Sequence, residues 1–354
     1  MPQRIDADAL RAFAGRAFLT VGLSDEHAAT CAELMVRADL NGADGHGIFR
    51  LPQYIRRIKG GAVNVRANPA IVREAAGMAV VDGDNGMGHV VMRFAAETAI
   101  AKAKSAGVAW VGVRASNHAG PAALYAAMPM EHDMIGLYLA VGNANHMAPW
   151  GGVELLLSTN PIAVGVPAHE EGAIVLDMAT TVAAYGKVKT KAQRNEPLPE
   201  GWMIDKAGRP LTDSARAAEG LLLPIGGYKG YGLALVFGLL AGTLNGAAMG
   251  RDVIDFNADD VSATNTGHAM VAISPAAFGD VDEFKRGVDK VIRDLRHSRT
   301  LPGVERVLLP GEQSRAKFAE RSRDGIPMPP QLLASLNKLA LELRLPELAA
   351  RDVE

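Results

Sequence analysis

Residues 79–88 read Ala-Val-Val-Asp-Gly-Asp-Asn-Gly-Met-Gly, and they join a short apolar strand to a helix that continues to about Ala106. A strand, a glycine-rich turn and a helix also begin the dinucleotide-binding unit of a Rossmann fold. Here the glycines follow the order G-x-x-G-x-G, whereas the Rossmann fingerprint is G-x-G-x-x-G. The stretch therefore predicts a strand–loop–helix unit within a sheet domain that is not a Rossmann fold.

Strand patterns alternate with helical ones on the C-terminal side of this unit, whereas both ends of the chain show mainly helical periodicity. Ser24 is a suitable N-cap, with a predicted helix before it over 7–22 and another after it over 24–41. The predicted class is α+β. We expect a discontinuous helical domain of residues 1–74 and 298–354, and a mixed-sheet domain of residues 75–297.

The composition is that of a water-soluble globular enzyme. Of the 354 residues, 48% are hydrophobic and 21% are charged, and the formal net charge is −2. The chain has no long basic run, which argues against nucleic acid and anionic membranes as partners. One cysteine, Cys31, lies in an apolar helical pattern and is expected in the core. The N-terminus has no apolar signal region, so we expect a cytoplasmic protein.

The segment 231–250 carries no charged residue and is long enough to cross a bilayer. It contains five glycines, however, four of them at 238, 242, 246 and 250. Glycine at every fourth position costs helix stability, so this spacing indicates close backbone approach by another element or a second subunit. We therefore predict a buried central helix and no membrane span. Lys229, in the glycine-rich loop before it, suits a phosphate or carboxylate.

The segment 42–54, Gly-Ala-Asp-Gly-His-Gly-Ile-Phe-Arg-Leu-Pro-Gln-Tyr, is the first candidate for chemistry. His46, Arg50 and Tyr54 are spaced by four residues, so a helix from about Gly47 would align them on one face. Histidine transfers protons near neutral pH, and the arginine fork matches a carboxylate. This pairing suits a 2-oxo or 2-hydroxy acid, while the alternative is a solvated polar helix face.

Other candidate residues lie where predicted strands end. His118 and Gly120 follow one strand, and Gly142 begins a long loop rich in Gly, Asn and Pro after the next. Helix N-termini at such positions present free N–H groups to ligands. Asp177 ends a further strand and either caps the helix that follows or faces a ligand, the cap being favoured.

Eight motifs in order resemble the type 2 malate/L-lactate dehydrogenase family over nearly the whole chain. They are Gly-His-Gly at 45–47 with Arg50, Asp-Gly-Asp-Asn-Gly at 82–86, Ser-Asn-His-x-Gly at 116–120, Met-Ala-Pro-x-Gly-Gly at 147–152, Thr-Asn-Pro at 159–161, Leu-Asp-Met-Ala-Thr at 176–180, Gly-Gly-Tyr-Lys-Gly-Tyr-Gly at 226–232 and Leu-Pro-Gly-Glu at 309–312. The family includes ureidoglycolate, sulfolactate, diketogulonate and piperideine-2-carboxylate oxidoreductases.

The resemblance implies hydride transfer between NAD or NADP and C2 of a small 2-oxo, 2-hydroxy or 2-imino acid. It assigns proton transfer to His46 and carboxylate binding to Arg50, while some members use the histidine matching His118 as the base. Tyr54 and His146 are further candidates for the substrate pocket. The family is typically homodimeric, with an active site that uses both subunits, which would suit the glycine-spaced helix.

The resemblance also implies cofactor contacts along the motifs, and no metal. These contacts fall on His118, Gly120, Gly142, Thr159, Asp177, Met178, Ala179, Lys229, Gly311 and Glu312. In the proposed mechanism His46 protonates the alkoxide, Asp177 or a backbone carbonyl fixes the tautomer of His46, and His118 lines the opposite wall.

Gly45 departs from the family pattern, because many members have serine there. In the imine-reductase branch that serine belongs to a relay with His and Asp, so reduction of a cyclic or N-alkyl 2-imino acid is the alternative activity. A metal-dependent lyase or hydrolase using His46, His118, His146 or Asp177 is less favoured, because these residues lack close helical ligand spacing. A non-catalytic small-molecule binder is a third possibility, which the His46 and Arg50 pair argues against.

Overall fold

A seven-stranded mixed sheet organises the computed structural model, which describes residues 3–349. The strands are β1 (Gln3–Ile5), β2 (Ala70–Ala75), β3 (Met78–Asp82), β4 (Val108–Ser116), β5 (Ile135–Ala140), β6 (Ile162–Val166), β7 (Ile174–Met178), β8 (Met203–Ile204), β9 (Leu221–Leu222), β10 (Thr266–Ile273) and β11 (Ile326–Met328). The helices are α1 (Ala7–Thr20), α2 (Asp25–Leu40), α3 (Leu51–Lys59), α4 (Gly88–Ala106), α5 (Ala123–Ala127), α6 (Tyr185–Gln193), α7 (Tyr228–Ala241), α8 (Val281–Arg296), α9 (Glu312–Asp324) and α10 (Pro330–Leu343). The predicted α+β class is confirmed.

The strand order in the large sheet is β2-β3-β4-β10-β5-β6-β7. Within it β3 and β4 pair in parallel, and the other neighbours pair antiparallel. The strands β4 and β5 are both antiparallel to β10, so they run in the same direction. Two antiparallel pairings separate β7 from β5, so β7 runs in that direction as well. Their C-terminal ends therefore meet at one edge of the sheet, here called the site edge.

One face of the sheet is covered by α4. Its small residues Ala95, Ala96, Ala99 and Ala103 are fully buried. Because alanine adds little beyond the backbone, the helix packs directly on the apolar strand residues, which include Val111. This packing fixes β3 and β4, and with them the loop after β4 that carries a predicted site residue.

The two ends of the chain pack together in a separate apolar cluster built from α1, α2, α3 and α10. The Ser24 hydroxyl caps α2 by accepting a hydrogen bond from the backbone of His27 at 3.2 Å, as predicted. The mainly helical periodicity of the two chain ends does not extend to every element, because β1 pairs antiparallel with β11. Each strand has only three residues, so neither produces a readable alternation in the sequence.

The prediction of a fully buried helix over 231–250 is also wrong. The helix α7 ends at Ala241, and a separate 3₁₀ turn follows at Thr243–Asn245. The expected close approach occurs at the end of the helix, since a Cβ at Gly267 of β10 would lie 2.9 Å from the Gly242 Cα. One side of α7 leaves large apolar residues exposed, among them Leu233, Val236 and Leu239.

Within residues 3–349, no helix combines the length and the apolar character that crossing a bilayer requires.

Candidate functional site

Two histidine rings lie face to face beside the site edge. His118 follows β4, His46 lies before α3, and their ring centroids are 5.6 Å apart with planes 10° from parallel. On its other side His118 stacks on Phe256 at 4.8 Å. Both imidazoles remain partly exposed. The expectation that His118 lines the wall opposite His46 is therefore wrong, since the two rings are stacked on the same wall.

The tautomer of His118 follows from its hydrogen bonds. Its Nδ1 accepts a long bond from the backbone N–H of Gly120 at 3.4 Å, and a backbone N–H is only ever a donor. The Tyr54 hydroxyl, 2.5 Å from the same nitrogen, must then donate as well. Neutral His118 therefore carries its proton on Nε2, the nitrogen on the far side of the ring from Tyr54.

Burial keeps both rings neutral. Desolvation first, and the positive charge of Arg50 second, lower the pKa of His46 to about 4. The same two causes, in the same order, hold the pKa of His118 well below its usual value. At neutral pH His46 therefore has a lone pair available to accept a proton, whereas the Nδ1 lone pair of His118 already accepts the bonds from Tyr54 and Gly120.

His46 lies in a turn and not on a helix. Its backbone N–H bonds to the carbonyl of Ala43 at 2.8 Å, and a 3₁₀ turn at Ile48–Arg50 leads into α3. The prediction that one helix face aligns His46, Arg50 and Tyr54 is therefore wrong. The buried carboxyl of Asp39 accepts the Ile48 N–H at 2.8 Å and holds this turn against α2.

Arg50 points a partly buried guanidinium at the site. Its Nε donates to the carbonyl of Gly45 at 2.9 Å, and its Nη1 donates to Gln53 at 2.8 Å and to Asn257 Oδ1 at 3.3 Å. All three acceptors are neutral, and no acidic side chain pairs with Arg50 within residues 3–349. A guanidinium fixed in this way still needs an anion, which suits the predicted carboxylate-binding role.

Several side chains near the site were not predicted. Asn257 bridges Arg50 to Lys189 of α6, whose Nζ lies 3.3 Å from the same amide oxygen. The fully buried His89 meets Tyr54 edge-on at 5.5 Å. Lys189 lies in an ordinary-looking lysine-rich helix and Asn257 in a polar loop, so neither has a local sequence signal.

His146, predicted as a substrate contact, stacks on Tyr185 of α6 with ring centroids 3.8 Å apart. Burial lowers its pKa to about 4, despite the opposing effect of Asp255. Tyr185 in turn lies under the ammonium group of Lys189, 5.4 Å from the ring centroid. His146 therefore packs against α6 through Tyr185.

Asp177 does not cap the helix that follows it, so that prediction is wrong. It lies within β7, and its Oδ2 accepts the backbone N–H of Ala123 at the start of α5, at 2.9 Å. The cap of α6 is Ala184, which uses no side-chain bond. Among residues 3–349 no hydrogen bond joins Asp177 to His46. The expectation that Asp177 fixes the tautomer of His46 is therefore wrong as well.

The remaining predicted cofactor residues fall into two groups along the sheet. At the site edge, Gly142 follows β5 and Thr159 precedes β6. The Thr159 carbonyl accepts the backbone N–H of Thr180 at 3.0 Å, and this bond holds the strand end at Met178 and Ala179 beside Thr159. The bond from Ile225 N–H to the Thr180 carbonyl, at 2.9 Å, brings the loop before Lys229 to this edge.

The second group lies further back along β7. A Cβ at Gly311, where φ is +90°, would lie 3.1 Å from Val175. The neighbouring Glu312 carboxylate is held by Arg296 at 2.7 Å and Arg306 at 3.1 Å. The Glu312 side chain is therefore committed to supporting this loop.

Across residues 3–349, no cluster of three or more His, Cys, Asp or Glu side chains is arranged to hold a metal ion.

Comparison with known proteins gives a consistent result. The chain matches the family model described as malate/L-lactate dehydrogenase over residues 5–337. It is 38% identical to the malate/(S)-sulfolactate dehydrogenase of Methanothermus fervidus over 325 residues, which cover 92% of this chain and 94% of the relative. It is 32% identical to the Delta(1)-pyrroline-2-carboxylate reductase of Ancylobacter novellus over 341 residues, covering 96% and 98%.

A solved structure shares the fold. The sulfolactate dehydrogenase from Methanocaldococcus jannaschii superposes with a TM-score of 0.90 at 38% identity, covering 97% of this chain and 98% of the other.

Proposed function

Because the chain belongs to the malate/L-lactate dehydrogenase family and is an oxidoreductase, we propose that it transfers a hydride between NAD or NADP and C2 of a small 2-oxo or 2-hydroxy acid. The observation that carries this proposal is the arrangement around His46. Two stacked neutral imidazoles lie beside Arg50, a guanidinium whose acceptors within residues 3–349 are all neutral. This arrangement can hold a carboxylate and move a proton at the adjacent carbon's oxygen.

Arg50 binds and orients the substrate. Its bonds to Gly45 and Gln53 fix the plane of the guanidinium before the substrate arrives, so little ordering is left for the binding step. A planar fork that meets a carboxylate with two hydrogen bonds also sets the direction of the attached C2 atom.

His46 transfers the proton in our proposal, and His118 is its stacked partner. In the oxidation direction neutral His46 accepts the hydroxyl proton. In the reduction direction it must be protonated, and substrate binding promotes this: a carboxylate on Arg50 cancels the charge that helps to lower the pKa of His46. Substrate binding and proton uptake are therefore coupled through Arg50.

The residues at the site edge fit a nicotinamide dinucleotide. Lys229 is exposed in the first turn of α7, where the leading N–H groups have no partner within the helix, and this donor set suits a diphosphate. We propose that His118, Gly120, Gly142, Thr159, and residues 177–179 hold the rest of the cofactor, with the loop at Gly311 and Glu312 beyond them. When bound, the nicotinamide donates or accepts the hydride.

We also propose that the cofactor domain is not a Rossmann fold and that the chain ends form one helical domain. The first proposal is supported by the single parallel pairing, β3 with β4, in a sheet whose other neighbours are antiparallel. The second is supported by the apolar cluster that joins α1, α2 and α3 to α10. The expected bounds are 1–74 with 298–354, and 75–297.

The protein is proposed to be a cytoplasmic homodimer. The exposed apolar side of α7, with Leu233, Val236 and Leu239, supports an interface there, since such a face is costly in water. The low net charge and the absence of a basic run support small molecules as partners and argue against nucleic acid and membrane partners.

Reduction of a cyclic or N-alkyl 2-imino acid is the alternative, supported by the Ancylobacter novellus relative. Two features argue against it. Gly45 lacks the hydroxyl of the family relay, and the cations Arg50 and Lys189 both border the site. A protonated imine carries positive charge at the reacting nitrogen, which these cations disfavour.

Oxidation of NADH and of NADPH, measured against a panel of 2-oxo acids with and without ammonia or methylamine, tests the proposal. We expect turnover of at least one 2-oxo acid without amine. Turnover only with amine would favour the imine reductase, and tight cofactor binding without any turnover would favour a non-catalytic binder.

A further inference from the structure

The loop of residues 255–262, here called the anchored loop, is fixed along α3 by buried side chains. Gln53 Nε2 donates a hydrogen bond to the Phe256 carbonyl at 2.7 Å. Arg57 Nη2 donates to the Ser262 carbonyl at 2.8 Å, and both Gln53 and Arg57 are buried. Because each bond joins a side chain of α3 to a backbone oxygen of the loop, the helix that follows Arg50 sets the position of the anchored loop.

Phe256 is the aromatic residue of the anchored loop, and it is only 3% exposed. Its backbone N–H donates to the Asn143 carbonyl at 3.0 Å, in the loop after β5. Its carbonyl accepts the bond from Gln53, so both of its backbone groups are engaged. The side chain therefore starts from a fixed place between α3 and the loop after β5. Phe256 lies outside the eight sequence motifs.

The ring of Phe256 contacts two groups of the site. It stacks on the His118 imidazole with centroids 4.8 Å apart and planes 9° from parallel. The Cζ atom of Arg50 lies over the same ring, 5.3 Å from its centroid. Stacked rings, and a guanidinium over a ring, attract each other at these distances. His46, His118 and Phe256 thus form a continuous stack of three rings, and Arg50 contacts the ring at its end.

The stack is what fixes the plane of the His118 imidazole. Tyr54 and Gly120 both bond to Nδ1, and Nε2 makes no hydrogen bond within residues 3–349. One face of the ring lies against His46, the proposed proton carrier, so the face against Phe256 is the support that does not change during the reaction. Phe256 also shields that face from water, and desolvation is the main cause that holds the pKa of His118 below its usual value.

We propose that Phe256 is a positioning residue, which fixes the plane of the His118 imidazole and the place of the Arg50 guanidinium beside it. One rigid ring, held at its backbone by Asn143 and Gln53, then sets the distance between the substrate carboxylate and the imidazole pair. An error of about 1 Å in such a distance costs on the order of a hundredfold in rate. This inference rests on the proposed hydride transfer and gives Phe256 no chemical step.

The first test is a spectrum that needs neither substrate nor turnover. The full-length protein is labelled with ¹⁵N-histidine, and the His118 signals are assigned by their loss in His118→Gln. In the wild type at neutral pH we expect one tautomer of His118, with the proton on Nε2. Phe256→Leu removes the stacked ring, so we expect the imidazole to rotate and the signals of the second tautomer to appear.

The second test is steady-state kinetics with a 2-oxo acid that the wild type reduces. Phe256→Leu should lower kcat/KM about ten- to hundredfold, because the imidazole pair and Arg50 lose their common support. Within that loss KM for the acid should rise about two- to thirtyfold, the range expected for a lost cation–π contact with Arg50. The rest should appear in kcat, because the stack that supports His46 is no longer fixed.

Three further variants separate the stack from general packing. Phe256→Met fills the space with a flexible chain, and it replaces the leucine variant if that variant does not fold. Phe256→Tyr keeps the ring, so it should keep one tautomer and a KM within about twofold of the wild type. Phe18→Leu is the matched control, because it removes a fully buried ring from the same apolar cluster. Within residues 3–349 Phe18 stacks on no ring and lies under no cation, so only the unfolding midpoint should fall.

The outcomes are distinct from those of the proposed function. A single His118 tautomer in both Phe256→Leu and Phe256→Met would overturn the role of Phe256 while leaving hydride transfer intact. Equal losses in Phe256→Leu and Phe256→Tyr, or an equal change of tautomer in Phe18→Leu, would overturn it as well. If the wild type reduces no 2-oxo acid, the proposed function fails, whereas the spectra still decide whether Phe256 positions His118.

Discussion

The stacked imidazoles and the paired cations border the same site, yet the fold treats them in opposite ways. His46 and His118 are partly buried, and desolvation lowers their pKa values so that both rings are uncharged near neutral pH. Arg50 and Lys189 keep their charge and are held by neutral acceptors, with Asn257 common to both. In our proposal, proton transfer and substrate binding therefore fall to separate groups, and the effect of Arg50 on the histidine pKa values couples them.

The largest effect is expected on the imidazole side. His46→Ala should lower kcat by about two to four orders of magnitude, the range typical of a positioned acid or base, while the thermal unfolding midpoint changes little. Steady-state kinetics and thermal melts measure both. His132→Ala, at an exposed histidine, is the matched control and should keep full activity. Full activity of His46→Ala would remove His46 from the mechanism and move the role to His118.

A smaller effect is expected on the cation side. Arg50→Lys should raise KM for the 2-oxo acid about ten- to hundredfold and change kcat less, because a point charge does not reproduce the bidentate fork. The control is Arg56→Lys in α3, the helix that follows Arg50, because the pair of Arg56 with Asp260 is exposed. A loss confined to kcat would contradict the separation of binding from proton transfer.

A further variant tests how the imidazole pair is oriented. Tyr54→Phe removes the hydroxyl that donates to His118 Nδ1, and it should lower kcat about tenfold. Because the lost bond stabilises the neutral ring, the pKa of His118 should also rise, which shifts the acid limb of the pH–rate profile to higher pH. An unchanged profile would show that Tyr54 does not act through His118.

The smallest effect concerns stability. Burial lowers the pKa of His89 to about 3, below its value in the unfolded chain. The native state is therefore favoured above the unfolded-state pKa, and that advantage is lost as the pH falls toward the folded value. The unfolding midpoint should drop between pH 7 and pH 4. His89→Phe should flatten this slope because it removes the titrating ring, and it breaks no hydrogen bond because both His89 ring nitrogens lack a partner among residues 3–349. His132→Gln should leave the slope unchanged.

Much of the fold could be predicted from local signals. The starts of α8 and α10 are marked by local signals in the sequence, because Asp280 caps the first and proline begins the second. The short strands β1 and β11 could not be predicted, because only their mutual pairing makes them strands. The end of α7 was misplaced because an uncharged run does not reveal where Gly242 interrupts it.

In the site, too, only the residues with a local sequence motif could be predicted. His46, Arg50 and His118 have recognisable motifs, and the structure brings them together. Asn257 and Lys189 lie far from Arg50 in sequence and meet it only through the packing of a polar loop and of α6. The predicted cap role of Asp177 was wrong because its carboxylate accepts the backbone N–H of Ala123 at the start of α5, and not an N–H of the helix that follows Asp177 in the sequence. Contacts between separate elements carry no local sequence pattern, so sequence analysis missed them.

We propose that a hydride passes directly from the nicotinamide to C2 of a 2-oxo acid. To test this, a 2-oxo acid that the enzyme turns over is reduced with NADH or NADPH that carries deuterium at C4 of the nicotinamide, one stereoisomer at a time. The hydroxy acid is then analysed by mass spectrometry. We predict one deuterium at C2 of the product with one of the two stereoisomers. Product without deuterium from both stereoisomers would rule out direct hydride transfer.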